Sequence, residues 1–484
     1  MNGTLKRASV ACLLMFGLLM ININYLQAVK ADDLRTDSRN TRSFFARYQN
    51  ERGMITAGGE TLAKSVDTGA ANTFRFQRKY TDGPVYAPVI GFFAPESAQG
   101  IEGAENKYLD GTHPDLFVRR TVDLITSKPT RGAAVDLTLV PKAQKIAYED
   151  MQKSGKRGAV VALDPRTGAI LTMVSLPTFD PNTMAAPDKS KAAKVYNKLD
   201  KDDNKPLLNR AISTTYAPGS TFKVVTSAAY LSEDSSRDAN TEVDAPNVLP
   251  LPGTNIGLPN YHGESCGGRA TLLDALTISC NTAFGTMGLE MGYDKLKEQA
   301  AKFGMGQPMS IPLDVVASDI GPDEGKAALA QTSIGQRSNQ ITPLQMAMVA
   351  AGVANQGKVM KPYLVNKIVS PDNEDIDSTR PQELDEAVTP QVADELRKMM
   401  ISVVQNGTGT AAQLPGITVA GKTGTAETAK GAASHAWFIA FAPAEDPKVA
   451  VAVFVESGSA GNDATGGAVA APIAHDVMQA VLGQ

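Results

Sequence analysis

The alternation of apolar and polar positions divides the chain into three stretches of different texture. Near the N-terminus an almost unbroken apolar segment runs from Ala8 to about Tyr25, with Leu13, Leu14, Met15, Phe16, Leu18, Leu19 and Ile21 following Lys6 and Arg7. That is long enough for one bilayer-spanning helix, which needs about 17–25 residues. Val29-Lys30-Ala31 is a poor small-residue cleavage site, so an uncleaved signal-anchor is expected. The two basic residues on its short side place that end in the cytoplasm and everything after residue 30 outside.

From residue 31 to about 157 the texture is mixed and polar. Short apolar runs at 86–90 and 134–139 predict strands of a β-rich module. At Gly158 the character changes. Two apolar strands, 159–163 and 169–175, flank Asp164-Pro165-Arg166-Thr167-Gly168, whose proline, aspartate and glycine supply turn geometry. A lysine- and aspartate-rich stretch at 188–204 reads as a solvated loop. Pro218-Gly219 then break the chain ahead of an apolar helix over 221–231. Short helices are predicted at 271–278 and 282–291, separated by Ser279-Cys280-Asn281. Thr342-Pro343 starts another that runs to about Asn355, with Gly357 ending it. A strand at 417–425, a hairpin of 436–441 with 449–455 and a helix over 469–482 close the chain. The runs of the last section suit a sheet covered on both faces. Residues 158–484 thus read as an α+β domain, an antiparallel sheet built from both ends of the segment with helices between.

Composition narrows the function. With 484 residues, 43% hydrophobic and 20% charged, the chain is a folded protein of two or three domains. A net charge of -4 and the lack of a basic run argue against nucleic acid as a partner. His113, His262, His435 and His475, with Cys12, Cys266 and Cys280, give no metal-ligand spacing, so neither a metal nor another cofactor is expected.

The candidate chemistry sits at Tyr216-Ala217-Pro218-Gly219-Ser220-Thr221-Phe222-Lys223. Ser220 falls at a helix N-terminus, and residues three apart share a helix face, so the Lys223 amine is expected within hydrogen-bonding reach of the Ser220 hydroxyl. That is a nucleophile beside a base. Alone, Ser-x-x-Lys is a common helix start with an exposed lysine. Ser279-x-Asn281 follows 59 residues later and Lys422-Thr423-Gly424 a further 143 residues on.

In that order, the three motifs resemble those of the penicillin-binding proteins and serine β-lactamases. Tyr216–Lys223, Ser333-Ile334-Gly335-Gln336 with Thr342-Pro343-Leu344-Gln345, and Val419 to Glu427 are similar to the context of the penicillin-binding transpeptidases. The resemblance covers about residues 158–484. Arg52-Gly53 with Leu62-Ala63, and Gly100 to Tyr108, resemble boxes in the non-catalytic pedestal of the monofunctional, class B enzymes. Ala57-Gly58 stands where a common form of the first box has an aspartate-arginine pair. The resemblance implies three regions: a cytoplasmic tip and anchor at 1–30, a pedestal at 31–157 and a transpeptidase domain at 158–484. No stretch suits a glycosyltransferase domain.

Roles also follow from the resemblance. Ser220 would be the nucleophile, Lys223 its base, and Ser279 a proton relay between the lysines and the leaving amine. Asn281 would hold the substrate backbone, while Lys422, Thr423 and Thr425 would attract the terminal carboxylate of a D-alanyl-D-alanine stem peptide. The N–H groups of Ser220 and Thr425 would form an oxyanion hole, and Gly424 would let the strand edge lie close to the substrate. The implied activity is peptidoglycan D,D-transpeptidation at the cell membrane, with β-lactams as covalent inhibitors and wall-synthesis or divisome proteins as partners. A D,D-carboxypeptidase uses the same groups on water, and a β-lactam sensor or scaffold is the non-enzymatic alternative. In the disulfide-permissive compartment outside the membrane, Cys266 and Cys280 form either a bridge that ties down the active-site loop or two free, buried thiols.

Overall fold

The computed structural model describes residues 3–36, 48–69, 71–94, 97–117, 121, 131–426, 434–456 and 465–483. Glu427, the last residue of the third motif's context, lies outside them. Gly3–Ala28 is a single helix of 26 residues, long and apolar enough to cross a membrane, with none of its residues buried against the protein.

A five-stranded antiparallel sheet organises the larger part of the chain. Its order is Ala420–Ala426, His435–Ala442, Val449–Val455, Gly158–Leu163, Ile170–Leu176. The two ends of the segment therefore meet at its centre, where Val449–Val455 pairs with Gly158–Leu163. Every residue of these two strands is buried, and the period-2 alternation assigns them to opposite faces. Ala159, Val161, Ala450, Ala452 and Phe454 join one core with the buried helix Pro343–Ala354. Val160, Ala162, Val449, Val451 and Val453 join the other, with helices Pro141–Lys153 and Ala471–Val481. Burying one Val or Phe side chain in such layers contributes about 1.5–3 kcal/mol. Packing runs across the boundary expected at residue 157, because Ala147 and Met151 already lie in the second core.

The helix starts follow their predicted signals. Thr271 and Thr342 cap Leu272–Thr277 and Pro343–Ala354, accepting hydrogen bonds from the N–H groups of Asp274 and Gln345. Two expectations fail. Residues 86–90 belong to a helix, Gly83–Ile90, not a strand. Pro84 sits in its first turn, where a proline costs no hydrogen bond, and Tyr86, Ala87, Val89 and Ile90 are buried. Residues 188–204 are not a solvated loop either, because Lys189–Asp200 is a helix capped by Asp188. Its Val195, Tyr196 and Leu199 pack against Phe92 and Phe179, and that apolar stripe outweighs the lysines around it.

The N-terminal region is β-rich as expected, but its six-stranded sheet borrows from the later chain. Its order is Asp375–Ser378, Val365–Val369, Ala134–Leu137, Ile55–Ala57, Glu60–Asp67, Phe76–Tyr80. The two boxes of this region meet in a buried ionic cluster. Arg52 Nε donates to Glu102 Oε2 at 2.6 Å, and Arg78 Nε donates to Oε1 of the same carboxylate. Tyr80 donates its hydroxyl to that carboxylate at 3.0 Å, and Arg52 also reaches Asn106 Oδ1 at 2.8 Å. Burial alone would raise the Glu102 carboxyl, but Arg78 and then Arg52 outweigh it and hold it below its ordinary value. The stability it contributes is present above the ordinary carboxylate range and lost as pH falls through the depressed value. Glu102→Ala strands two buried guanidinium groups and is expected to cost about 3–5 kcal/mol. Denaturant unfolding of the purified protein checks this; a cost below about 1 kcal/mol, the scale of an exposed pair, would contradict it.

Candidate active site

Ser220 is held by a clamp on both sides of its turn. Gly219–Phe222 forms a single 3-10 turn that feeds directly into the helix Lys223–Ser232. Gly219 takes φ +54° and donates its N–H to Gly335 O at 2.9 Å. A Cβ on Gly335 would lie 2.0 Å from Gly219 O, so the Ser333–Gln336 segment presses backbone against backbone on the serine turn. On the other side Trp437 Nε1 donates to Ala217 O at 3.0 Å. A Cβ on Gly424 would meet Pro218 O at 2.9 Å, Thr221 Cγ2 at 2.9 Å and Trp437 Cβ at 3.0 Å. Gly424 was expected to make room for substrate; the space it leaves is occupied by the turn that carries Ser220.

The second motif crosses beneath this turn. Ser279 adopts φ +63°, a left-handed conformation that costs a non-glycine residue about 1–3 kcal/mol. Cys280 follows as the cap of helix Asn281–Met291 and is joined by a disulfide to Cys266, fourteen residues earlier. Of the two readings left open by the sequence, the structure takes the bridge.

Lys223 is fully buried, and its amine donates to Ser279 O at 2.7 Å and Asn281 Oδ1 at 2.7 Å, with Ser279 Oγ at 3.2 Å. Among the described residues its hydrogen bonds thus run to the second motif and none to Ser220. The two pure acceptors at 2.7 Å take two N–H groups, and the amine's third position meets the Ser279 hydroxyl; in the neutral form that position is the lone pair. Burial first, and the charge of Lys422 second, hold the Lys223 amine well below the ordinary lysine range.

Lys422 is also fully buried and donates to Ser279 Oγ at 2.9 Å and to Thr423 O at 3.0 Å. Burial pulls its amine down to about 7. Ser279 Oγ therefore lies between two desolvated lysines.

These residues open on a cleft of about 320 Å³. Ser220, Ser279, Asn281, Thr423 and Thr425 line it, whereas Gly424 does not. Sequence reasoning missed several other lining residues: Thr408, Thr465, Tyr261 and Glu264. Thr408 shares a hydrogen bond of 2.5 Å with Thr423 Oγ1. The Gly407-Thr408-Gly409 spacing signals only a turn, so nothing local marks it. Other cavities are larger, at about 520, 510, 440 and 350 Å³. None of these four brings a serine to a buried lysine, so chemistry rather than volume selects the smaller cleft.

Such a cleft belongs to an enzyme of the serine acyl-transfer class. Residues 158–479 match the penicillin binding protein transpeptidase domain, and residues 52–135 match the penicillin binding protein A dimerisation domain. The chain belongs to the penicillin-binding protein transpeptidase family, in its class B branch. It is 46% identical to the peptidoglycan D,D-transpeptidase PbpA of Mycolicibacterium smegmatis, across 100% of this chain and 99% of that one. PbpA of Mycobacterium tuberculosis is 43% identical over the same shares. The ceftriaxone acyl-enzyme of M. tuberculosis penicillin-binding protein A superposes with a TM-score of 0.87 at 43% identity, covering 90% of this chain and 100% of that chain. The penicillin G acyl-enzyme of the same protein gives a TM-score of 0.85 at 44% identity, with the same coverage.

Two outcomes follow from this geometry. Gly335→Ala is expected to displace the serine turn and slow acylation by a β-lactam about 100-fold, the cost of roughly 1 Å of misplacement. Stopped-flow acylation measures it, and an unchanged rate would contradict the clamp. For Lys422, the amine titrates near 10.5 when unfolded and about 7 when folded. Between those values the unfolded chain carries a proton that the folded chain lacks, so stability rises with pH across the window. Unfolding midpoints measured against pH should rise more steeply for the wild type than for Lys422→Met; parallel curves would contradict the desolvation of Lys422.

Proposed function

We propose that this protein is a membrane-anchored peptidoglycan D,D-transpeptidase that works through a Ser220 acyl-enzyme. The observation that carries the reading is the wholly buried Lys223 amine, lowered in pKa and one helical turn from Ser220. Its lone pair accepts the Ser220 proton as Oγ attacks the penultimate D-Ala carbonyl. The oxyanion is held by the N–H groups of Ser220 and Thr425. Collapse breaks the C–N bond, and the leaving amine takes its proton from Lys223 through Ser279. Free D-Ala departs and the acyl group stays on Ser220. The primary amine of a neighbouring stem then attacks the ester, yields its proton along the same path, and returns the proton to Ser220 as the cross-link forms.

Asn281 supports the substrate backbone. The hydroxyls of Thr423 and Thr425, with Lys422 behind them, receive the terminal carboxylate, and binding that anion favours the protonated Lys422. β-Lactams enter the same sequence at the first attack, leaving the ring-opened drug on Ser220. The Gly3–Ala28 helix anchors the chain in the cytoplasmic membrane, with Lys6 and Arg7 inside and the catalytic domain outside. Other wall-synthesis or divisome proteins meet it at the N-terminal region.

Fluorescent penicillin should label the wild type and leave Ser220→Ala unlabelled, while Lys223→Ala should slow labelling by about 10²–10⁴-fold. An undiminished adduct on Ser220→Ala would overturn the serine assignment. Incubation with a stem-peptide donor and an amine acceptor should give cross-linked product together with free D-Ala. Free D-Ala alone would make the enzyme a carboxypeptidase.

A further inference from the structure

The cleft is lined by two unlike sets of groups. One is the hydroxyls of Thr408, Thr423, Thr425 and Thr465, with the buried Lys422 beside Thr423. The other comes from the loop 259–266, which presents Glu264, the one carboxylate among the described lining residues. Glu264 is exposed, and among the described residues its carboxylate forms neither an ion pair nor a hydrogen bond.

This loop is fastened to the second motif at three points. Asn281 Nδ2 donates to Pro259 O at 3.2 Å. The buried Asn260 side chain donates to Glu264 O at 3.0 Å and accepts from Thr282 N at 3.0 Å. The Cys266–Cys280 disulfide closes the far end of the loop. The backbone of Glu264 is thereby fixed relative to Ser279 and Asn281, the residues beside the nucleophile.

We propose that Glu264 forms a subsite for the primary ammonium group of a stem peptide. The inference rests on the transpeptidase reading above and deepens it. Cross-linking requires an amine on each acceptor stem, and that amine is an ammonium ion in solution at neutral pH. A donor stem of the same composition carries the same group. A carboxylate and a set of anion-binding hydroxyls lining one cleft orient a chain that carries both charges, by attraction to each. The ammonium of the acceptor reaches the cleft charged, gives one proton to bulk water and attacks the Ser220 ester as the free amine, its second proton passing through Ser279 and Lys223 to the departing Ser220 oxygen.

The test uses the full-length protein and two synthetic donors ending in D-Ala-D-Ala, one with a free side-chain ammonium and one acetylated there. The wild type should be acylated faster by the charged donor, by about fivefold, the scale of one partly exposed charge pair. Glu264→Gln should remove that preference and Glu264→Asp should keep it. A second arm measures the ratio of aminolysis to hydrolysis of the acyl-enzyme with a primary amine acceptor, which should fall in Glu264→Gln by a similar factor. A loss in the first arm assigns the subsite to the donor ammonium, and a loss in the second assigns it to the acceptor; either supports the proposal. Thermal unfolding of Glu264→Gln separates a binding loss from a folding defect. No change in either arm, in a folded variant, overturns the subsite while leaving the acyl-transfer reading intact. No penicillin adduct on the wild type would overturn both.

Discussion

Keeping two lysine amines away from water is the constraint on which this structure depends. A buried ammonium is costly unless it is paired, and neither Lys223 nor Lys422 meets a carboxylate among the described residues. The cost is met by shifting the equilibrium towards the neutral amine, which is the form a general base requires. Lys223 is held on a helix between the Ser220 turn and the Phe284 ring, 5.4 Å from its amine. Lys422 is held on a strand whose neighbours are buried. Their common neighbour, Ser279, is kept there in a strained conformation by the disulfide loop and by the hydrogen bond from Cys280 N to Ala275 O. The sheet, the helical layers and the strained loop together keep water from two amines that it would otherwise protonate.

The same constraint explains the density of glycine around the nucleophile. Gly219, Gly335, Gly424 and Gly466 allow four backbone segments to approach more closely than side chains would permit, and a Cβ on Gly466 would lie 2.1 Å from Trp437 O and 2.6 Å from Gly424 O. Close packing of this kind excludes water from beneath Ser220 while its hydroxyl faces the cleft. Far from the chemistry, the Arg52–Glu102–Arg78 cluster solves a similar problem by the opposite means, satisfying a buried charge with two partners and a tyrosine.

Much of this was legible in the chain. Strands such as 449–455 and 159–163 were apparent because unbroken valine and alanine runs suit only a sheet buried on both faces, and the three motifs identified their own residues. Residues 86–90 misled because their β-branched and aromatic side chains favour strands locally, while the fold needed a buried helix begun by Pro84. The helix at 189–200 was hidden by its lysines, although Val195, Tyr196 and Leu199 carry the spacing of an apolar stripe. Contacts between Lys223, Ser279 and Lys422 span 56 and 143 residues of sequence, and no local rule says which hydroxyl an amine will meet. Gly424 was read as space for substrate because the strand was considered without the turn that packs on it.

The central claim is that burial holds the Lys223 amine well below the ordinary lysine range, towards the neutral form that a general base requires. Its titration can be followed directly by NMR of the side-chain carbon next to the amine in lysine-labelled protein, with the signal assigned through Lys223→Arg. The expected result is an apparent pKa well below the ordinary lysine value of 10.5. A signal that remains that of an ammonium up to about pH 10, where an unperturbed lysine titrates, would contradict it.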